Sequence, residues 1–163
     1  MDITALPRRT FHLKALLFFV ALTLGAGFFG ALLGGFSGFA GLVKPPLTLS
    51  AITSPAIWTV LYITTGIAAY LIWNINDIDG PRVLRLYLLQ LLLGALWPLI
   101  FFRLKMRLVA FFLLLSIIAI VSLVLTGFRY IRKSAYRLML PYFISLIYTA
   151  YLNIGFYLLN NSN

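Results

Sequence analysis

Residues 108–128, LVAFFLLLSIIAIVSLVLTGF, carry no charge, and Ser116, Ser122 and Thr126 are their only hydroxyls. Crossing a hydrocarbon core takes about 17–25 apolar residues. Lipid offers the backbone no hydrogen bonds, so a run of this kind must be a helix. Four further uncharged runs, at about 15–36, 54–76, 86–102 and 138–159, read the same way. The third is the shortest, and Arg82 and Arg85 at its start can snorkel to the headgroups. The chain of 163 residues is 63% hydrophobic and 10% charged, where soluble domains run about 45–50% apolar and about 25% charged. The expected architecture is all-α: one domain, residues 1–163, an integral membrane bundle of five transmembrane helices. No repeat of 20–50 residues divides it.

Composition also excludes chemistry. Cysteine is absent, so there is no disulfide framework, thiolate metal site or thiol nucleophile. One histidine, His12, and three acids, Asp2, Asp77 and Asp79, leave no His cluster or carboxylate dyad inside the membrane. No catalytic residue and no metal ligand is assigned, and no cofactor is required. The net charge of +10 sits in short clusters between apolar runs, where cations orient helices and meet anionic lipid headgroups. Nucleic acid is excluded as a partner, because no polar surface remains to read it.

Nine cations (Arg8, Arg9, Lys14, Arg82, Arg85, Arg129, Arg132, Lys133, Arg137) fall on one side of the five runs. Four (Lys44, Arg103, Lys105, Arg107) fall on the other. The positive-inside rule puts the N-terminus in the cytoplasm and the C-terminus outside. PRRTFHLK, residues 7–14, is then a basic flank rather than a twin-arginine export signal. The brief RLKMR, 103–107, makes helices 3 and 4 antiparallel neighbours, and the cations of 129–137 read as a headgroup-facing loop. Asp77 and Asp79 before Gly80-Pro81 read as turn chemistry. Gly30-x-x-x-Gly34 invites close helix packing, expected within the chain. Pro98 is expected to kink helix 3 beside Trp97, and helix 5 is expected to begin at Pro141-Tyr142.

Three helices carry stripes that lipid does not ask for. Trp58, Tyr62, Thr65, Ala69 and Trp73 lie within about 60° of one line on helix 2. Tyr87, Gln90, Gly94, Trp97 and Phe101 share a side of helix 3. Tyr142, Ser145, Thr149, Asn153, Phe156 and Asn160 share a side of helix 5. Polar groups in a span must face protein, water or ligand. Loop 37–53, stiffened by Pro45 and Pro46, is expected to lie over helix 2 as a lid. The stripes suit the walls of a pocket for a flat apolar ligand, and they also suit helix packing alone.

Landmarks along the chain resemble the translocator protein family, also called the tryptophan-rich sensory protein or peripheral-type benzodiazepine receptor family. They are Lys44-Pro45, Pro55-x-x-Trp58-Thr-x-Leu-Tyr62, Gln90-Leu-x-Leu-x-x-x-Trp97-Pro98-x-x-Phe101-Phe102, Pro141-Tyr142 and Leu152-Asn153. The resemblance implies a five-helix bundle, often a homodimer, that binds porphyrins, sterols or benzodiazepine-type ligands under its first loop. It implies that Trp58, Tyr62, Gln90, Gly94, Trp97, Ser145 and Thr149 line the pocket, with Phe39, Lys44 and Pro45 in the lid. Phe101, Tyr142 and Asn153 join them from the stripes.

The chain departs from the family pattern at several positions. Gly38-Phe39 replaces a Trp-Tyr, Leu49-Ser50 a Pro-Pro, Gly94 an Asn and Ser145 a Trp. No Lys or Arg follows Arg137, so the sterol pattern at the end of helix 5 is missing. The leading expectation is a receptor or carrier for porphyrin or a similar planar apolar molecule, with haem admitted only as a ligand. A light- or oxygen-dependent porphyrin-degrading enzyme, a sterol or small-molecule transporter and a purely structural protein are the alternatives. Binding is favoured over catalysis, because the chain offers no acid–base pair.

Overall fold

The computed structural model describes residues 10–35, 41–50 and 53–160. It is all-α: α1 (Leu13–Gly34), α2 (Thr53–Trp73), α3 (Gly80–Pro98) continued by a π-helical segment (Leu99–Arg103), α4 (Arg107–Ile131) and α5 (Lys133–Asn160). All five spans are long and apolar enough to cross a membrane. The helices outrun the uncharged runs. α3 starts at Gly80 rather than near Leu86, and α5 at Lys133 rather than near Leu138. Arg and Lys are good helix formers, so a charge marks where hydrocarbon ends, not where the helix ends.

Two local expectations change. The cations of 129–137 form no loop. Arg132, extended at φ −154° and ψ 112°, is the single residue between α4 and α5. Pro141 lies inside α5 rather than at its start. Pro98 is the last residue of α3 before the π-helical segment, inside the continuous span Gly80–Arg103. It has no N–H for the Gly94 carbonyl, and the chain then widens into the π-helical segment, where Leu104 N–H donates to the Leu99 carbonyl at 2.9 Å.

The helices close a ring. α1 packs on α2 and α3, α2 on α5, α5 on α4 and α4 on α3, and α2 also touches α3. Glycines set the closest approaches. A Cβ at Gly66 would come within 2.8 Å of Val20 Cα and 3.0 Å of the Phe19 carbonyl oxygen, so α1 and α2 meet backbone to backbone. Thr23, the only hydroxyl of α1, lies beside this contact within 2.9 Å of the Tyr62 carbonyl. Gly30 faces Ala95, and Gly34 faces Pro98. The small-xxx-small pair is therefore spent on α3 of the same chain. Between α3, α4 and α5, Tyr87 stacks on Phe128 and is buried with Ile117, Val121 and Met139. Phe18, Phe28, Phe29, Phe112, Leu123 and Ile144 stay exposed on the outside, as a lipid-facing surface requires.

Candidate functional site

Helical spacing brings part of the expected lining together at the ring's centre. Trp58 and Tyr62, four residues apart on α2, place their rings 5.7 Å apart. Both meet Tyr142 of α5, Trp58 edge-on at 6.0 Å and Tyr62 tilted at 6.4 Å. The Tyr142 hydroxyl donates to Gln90 Oε1 at 2.8 Å. Gln90 is fully buried, and its Nε2 has no hydrogen-bond acceptor among the described residues. A buried amide left half-satisfied costs about 1–3 kcal/mol, so something must favour an amide over leucine here.

Gly94 lies one turn further along the same face of α3, between buried Gln90 and buried Phe101. A Cβ built on Gly94 meets nothing within 4 Å. An inward-facing glycine with open space before it marks a gap between helices, beside the unsatisfied amide.

Towards the other end of α3, Trp97 stacks on Phe101 at 5.0 Å and 23°, and Phe101 meets Phe156 edge-on at 5.8 Å. The Asn153 amide, oriented by its partners, accepts from Trp97 Nε1 at 3.0 Å and donates to the Arg107 carbonyl at 2.8 Å. α3, α4 and α5 are thus tied together beside the gap.

Among the described residues, the first loop is anchored on α5. Pro45 is buried against Gly155. The Tyr148 hydroxyl donates to the Leu47 carbonyl, and the Tyr151 hydroxyl to the Pro46 carbonyl at 3.3 Å. Asn160 holds Val43 twice. Val43 N–H donates to Oδ1 at 2.8 Å, and Nδ2 donates to the Val43 carbonyl at 2.9 Å. Leu47 takes the left-handed φ of 65° that glycine usually fills in a turn, held by Tyr148. Asn160→Ala removes both Val43 bonds, each worth about 0.5–1.5 kcal/mol. Amide exchange across residues 42–48 is expected to speed up about tenfold, while exchange in α3 and α4 stays unchanged.

The remaining expected residues divide. Lys44 is exposed on the loop, and Phe39 lies outside the described residues. Ser145 and Thr149 are half-buried on the flank of α5. Their hydroxyls donate to carbonyls of their own helix, Pro141 at 2.9 Å and Ser145 at 2.7 Å, and they are not joined to the central cluster by a hydrogen bond among the described residues. Sequence reasoning left out Thr23 of α1 and the loop anchors Tyr148, Tyr151 and Gly155. Thr23 could have been found as the lone hydroxyl in an otherwise apolar, glycine-rich span.

Comparison with known proteins converges on one group. The sequence profile of the TspO/MBR family matches residues 19–158. A tryptophan-rich protein TspO of Archaeoglobus fulgidus is 34% identical over 124 residues, covering 75% of this chain and 79% of that one. The translocator protein of Ovis aries is 33% identical over 122 residues, covering 73% of this chain and 72% of its own. A second tryptophan-rich protein TspO, of Chlorobaculum tepidum, is 28% identical over 123 residues, covering 73% of this chain and 77% of its own. With five membrane-crossing helices and a profile match over most of its length, the chain is an integral, multi-pass membrane protein that belongs to the TspO/MBR family.

Proposed function

We propose that the chain binds a planar apolar small molecule of the porphyrin type between α2, α3 and α5, and acts as a membrane receptor or carrier. Family membership supports a receptor- or transporter-type role. One observation carries the ligand reading: the buried Gln90 amide, with Nε2 unsatisfied among the described residues, borders the open space in front of Gly94. The surrounding rings of Trp58, Tyr62 and Tyr142 offer stacking faces, and Gln90 and the phenols offer the few polar contacts that fix orientation. Because the one histidine, His12, precedes α1, a haem would be held by its face and edges rather than through iron. The interior polar groups named here are amide, phenol and hydroxyl, which suit binding rather than turnover.

Protoporphyrin titration tests this. Trp58→Ala with Trp97→Ala is expected to weaken binding about tenfold or more, since each ring contributes about 0.5–1.5 kcal/mol beyond its buried area. Trp73, near the opposite end of α2 from Trp58, remains as a reporter that the bundle is intact. Unchanged affinity in the double variant sinks the proposal. A porphyrin absorption spectrum that changes with time would show turnover instead.

A further inference from the structure

We infer that the α3–α4 turn carries a second binding site, for a phosphate group, filled in a bilayer by the headgroup of an anionic phospholipid. A hollow of about 220 Å³ opens there, lined by Lys105, Met106, Arg107, Leu108, Val109 and Tyr157. It joins the turn and the first residues of α4 to the last turn of α5. Arg107 is half-buried, and its Nε is shielded with no acceptor among the described residues.

Among the described residues, no carboxylate side chain stands nearby to take that donor. Asp77 and Asp79 lie in the α2–α3 connection, at the far end of α3. About 20 residues of helix, roughly 30 Å, separate them from Arg107. The end of the bundle that holds Arg103, Lys105 and Arg107 is cationic with no acid among its described residues.

The chemistry selects the occupant. A guanidinium presents a planar fork of donors that fits phosphate, and an adjacent ammonium supplies a second point charge. Met106, Leu108 and Val109 line the same hollow and are 50%, 38% and 46% exposed. An acyl chain attached to the phosphate would lie along them, which a free anion would not need. The site is also held in place: the Asn153 amide fixes the Arg107 carbonyl, and the Met106 N–H donates to the Ile100 carbonyl at 3.0 Å. This inference is independent of what the interior binds.

The test uses the full chain reconstituted in bilayers of mixed phosphatidylglycerol and phosphatidylcholine, extracted and weighed by native mass spectrometry. The protein is expected to retain phosphatidylglycerol over phosphatidylcholine by about tenfold, the effect of one charge-assisted contact. Arg107→Gln should remove that preference. Lys105→Gly provides a variant that keeps its fold, because Lys105 holds a positive φ of 56° that glycine adopts freely, and it should lower the preference severalfold. Lys44→Ala, which removes an exposed cation outside the hollow, should leave it intact.

A second arm adds millimolar inorganic phosphate. Displacement of the retained lipid by phosphate supports one shared phosphate site. Phosphate binding that Lys105→Gly abolishes, without any lipid preference, supports the site with a soluble occupant. Equal lipid retention in all variants, or losses no larger than that in Lys44→Ala, would overturn it.

Discussion

Gly94→Leu is expected to leave the bundle folded and to abolish porphyrin binding. A Cβ at Gly94 meets nothing within 4 Å, so the first added carbon costs no packing. Replacing glycine in a helix interior also gains about 0.5–1 kcal/mol. The remaining carbons of leucine then enter the gap beside Gln90, where the ligand's ring would lie. Thermal unfolding in detergent should show a midpoint equal to or above that of the parent. Protoporphyrin affinity should fall more than tenfold, or by at least about 1.4 kcal/mol. Gly94→Ala separates the two effects, with the stability gain kept and only part of the space filled. A leucine variant that binds porphyrin as tightly as the parent would place the ligand elsewhere.

Gly66→Ala should do the reverse, costing stability through a single methyl group. Its Cβ would stand 2.8 Å from Val20 Cα and 3.0 Å from the Phe19 carbonyl oxygen. Both are backbone atoms that no rotamer change can move. α1 and α2 must separate, and the Thr23 bond to the Tyr62 carbonyl stretches with them. Overpacking of this kind costs about 1–3 kcal/mol, or about 2–4 °C of melting temperature per kcal/mol in a chain of this size. Gly25→Ala is the matched control, because nothing lies within 4 Å of its Cβ. It should melt at or above the parent temperature. Equal midpoints for the two variants would show that α1 and α2 are not in backbone contact at Gly66.

The five spans were legible because burial in lipid writes itself as uninterrupted apolar runs, and 108–128 alone excludes a soluble fold. What the runs did not show is where helices stop. Arg82, Arg85, Lys133 and Arg137 are helical, and side chains of this kind reach out to the headgroups, so charge does not mark the end of a helix. Pro141 looked like a beginning because proline lacks a donor. In a long span the neighbouring turns absorb that loss.

The candidate site was partly legible for a related reason. Trp58, Tyr62, Gln90, Gly94 and Tyr142 are large, polar or absent side chains, and their period reveals one face per helix. Ser145 and Thr149 have the same period but can satisfy themselves on the preceding turn. α5 instead buries Leu146 and Ala150. The loop's attachment to Tyr148, Tyr151 and Asn160 was hidden, because it pairs residues more than 100 positions apart in the chain, a relation that no local pattern encodes.

The notch at Gly30 and Gly34 has a consequence for how copies of the protein can associate. Such a spacing, met in a sequence, is commonly taken as the place where two identical spans cross. Here α3 fills it, with Pro98 so near that even a methyl group on Gly34 would strike its carbonyl oxygen at 3.0 Å. Any self-association must therefore be built from other faces, and changing these two glycines would report on the integrity of one subunit rather than on pairing.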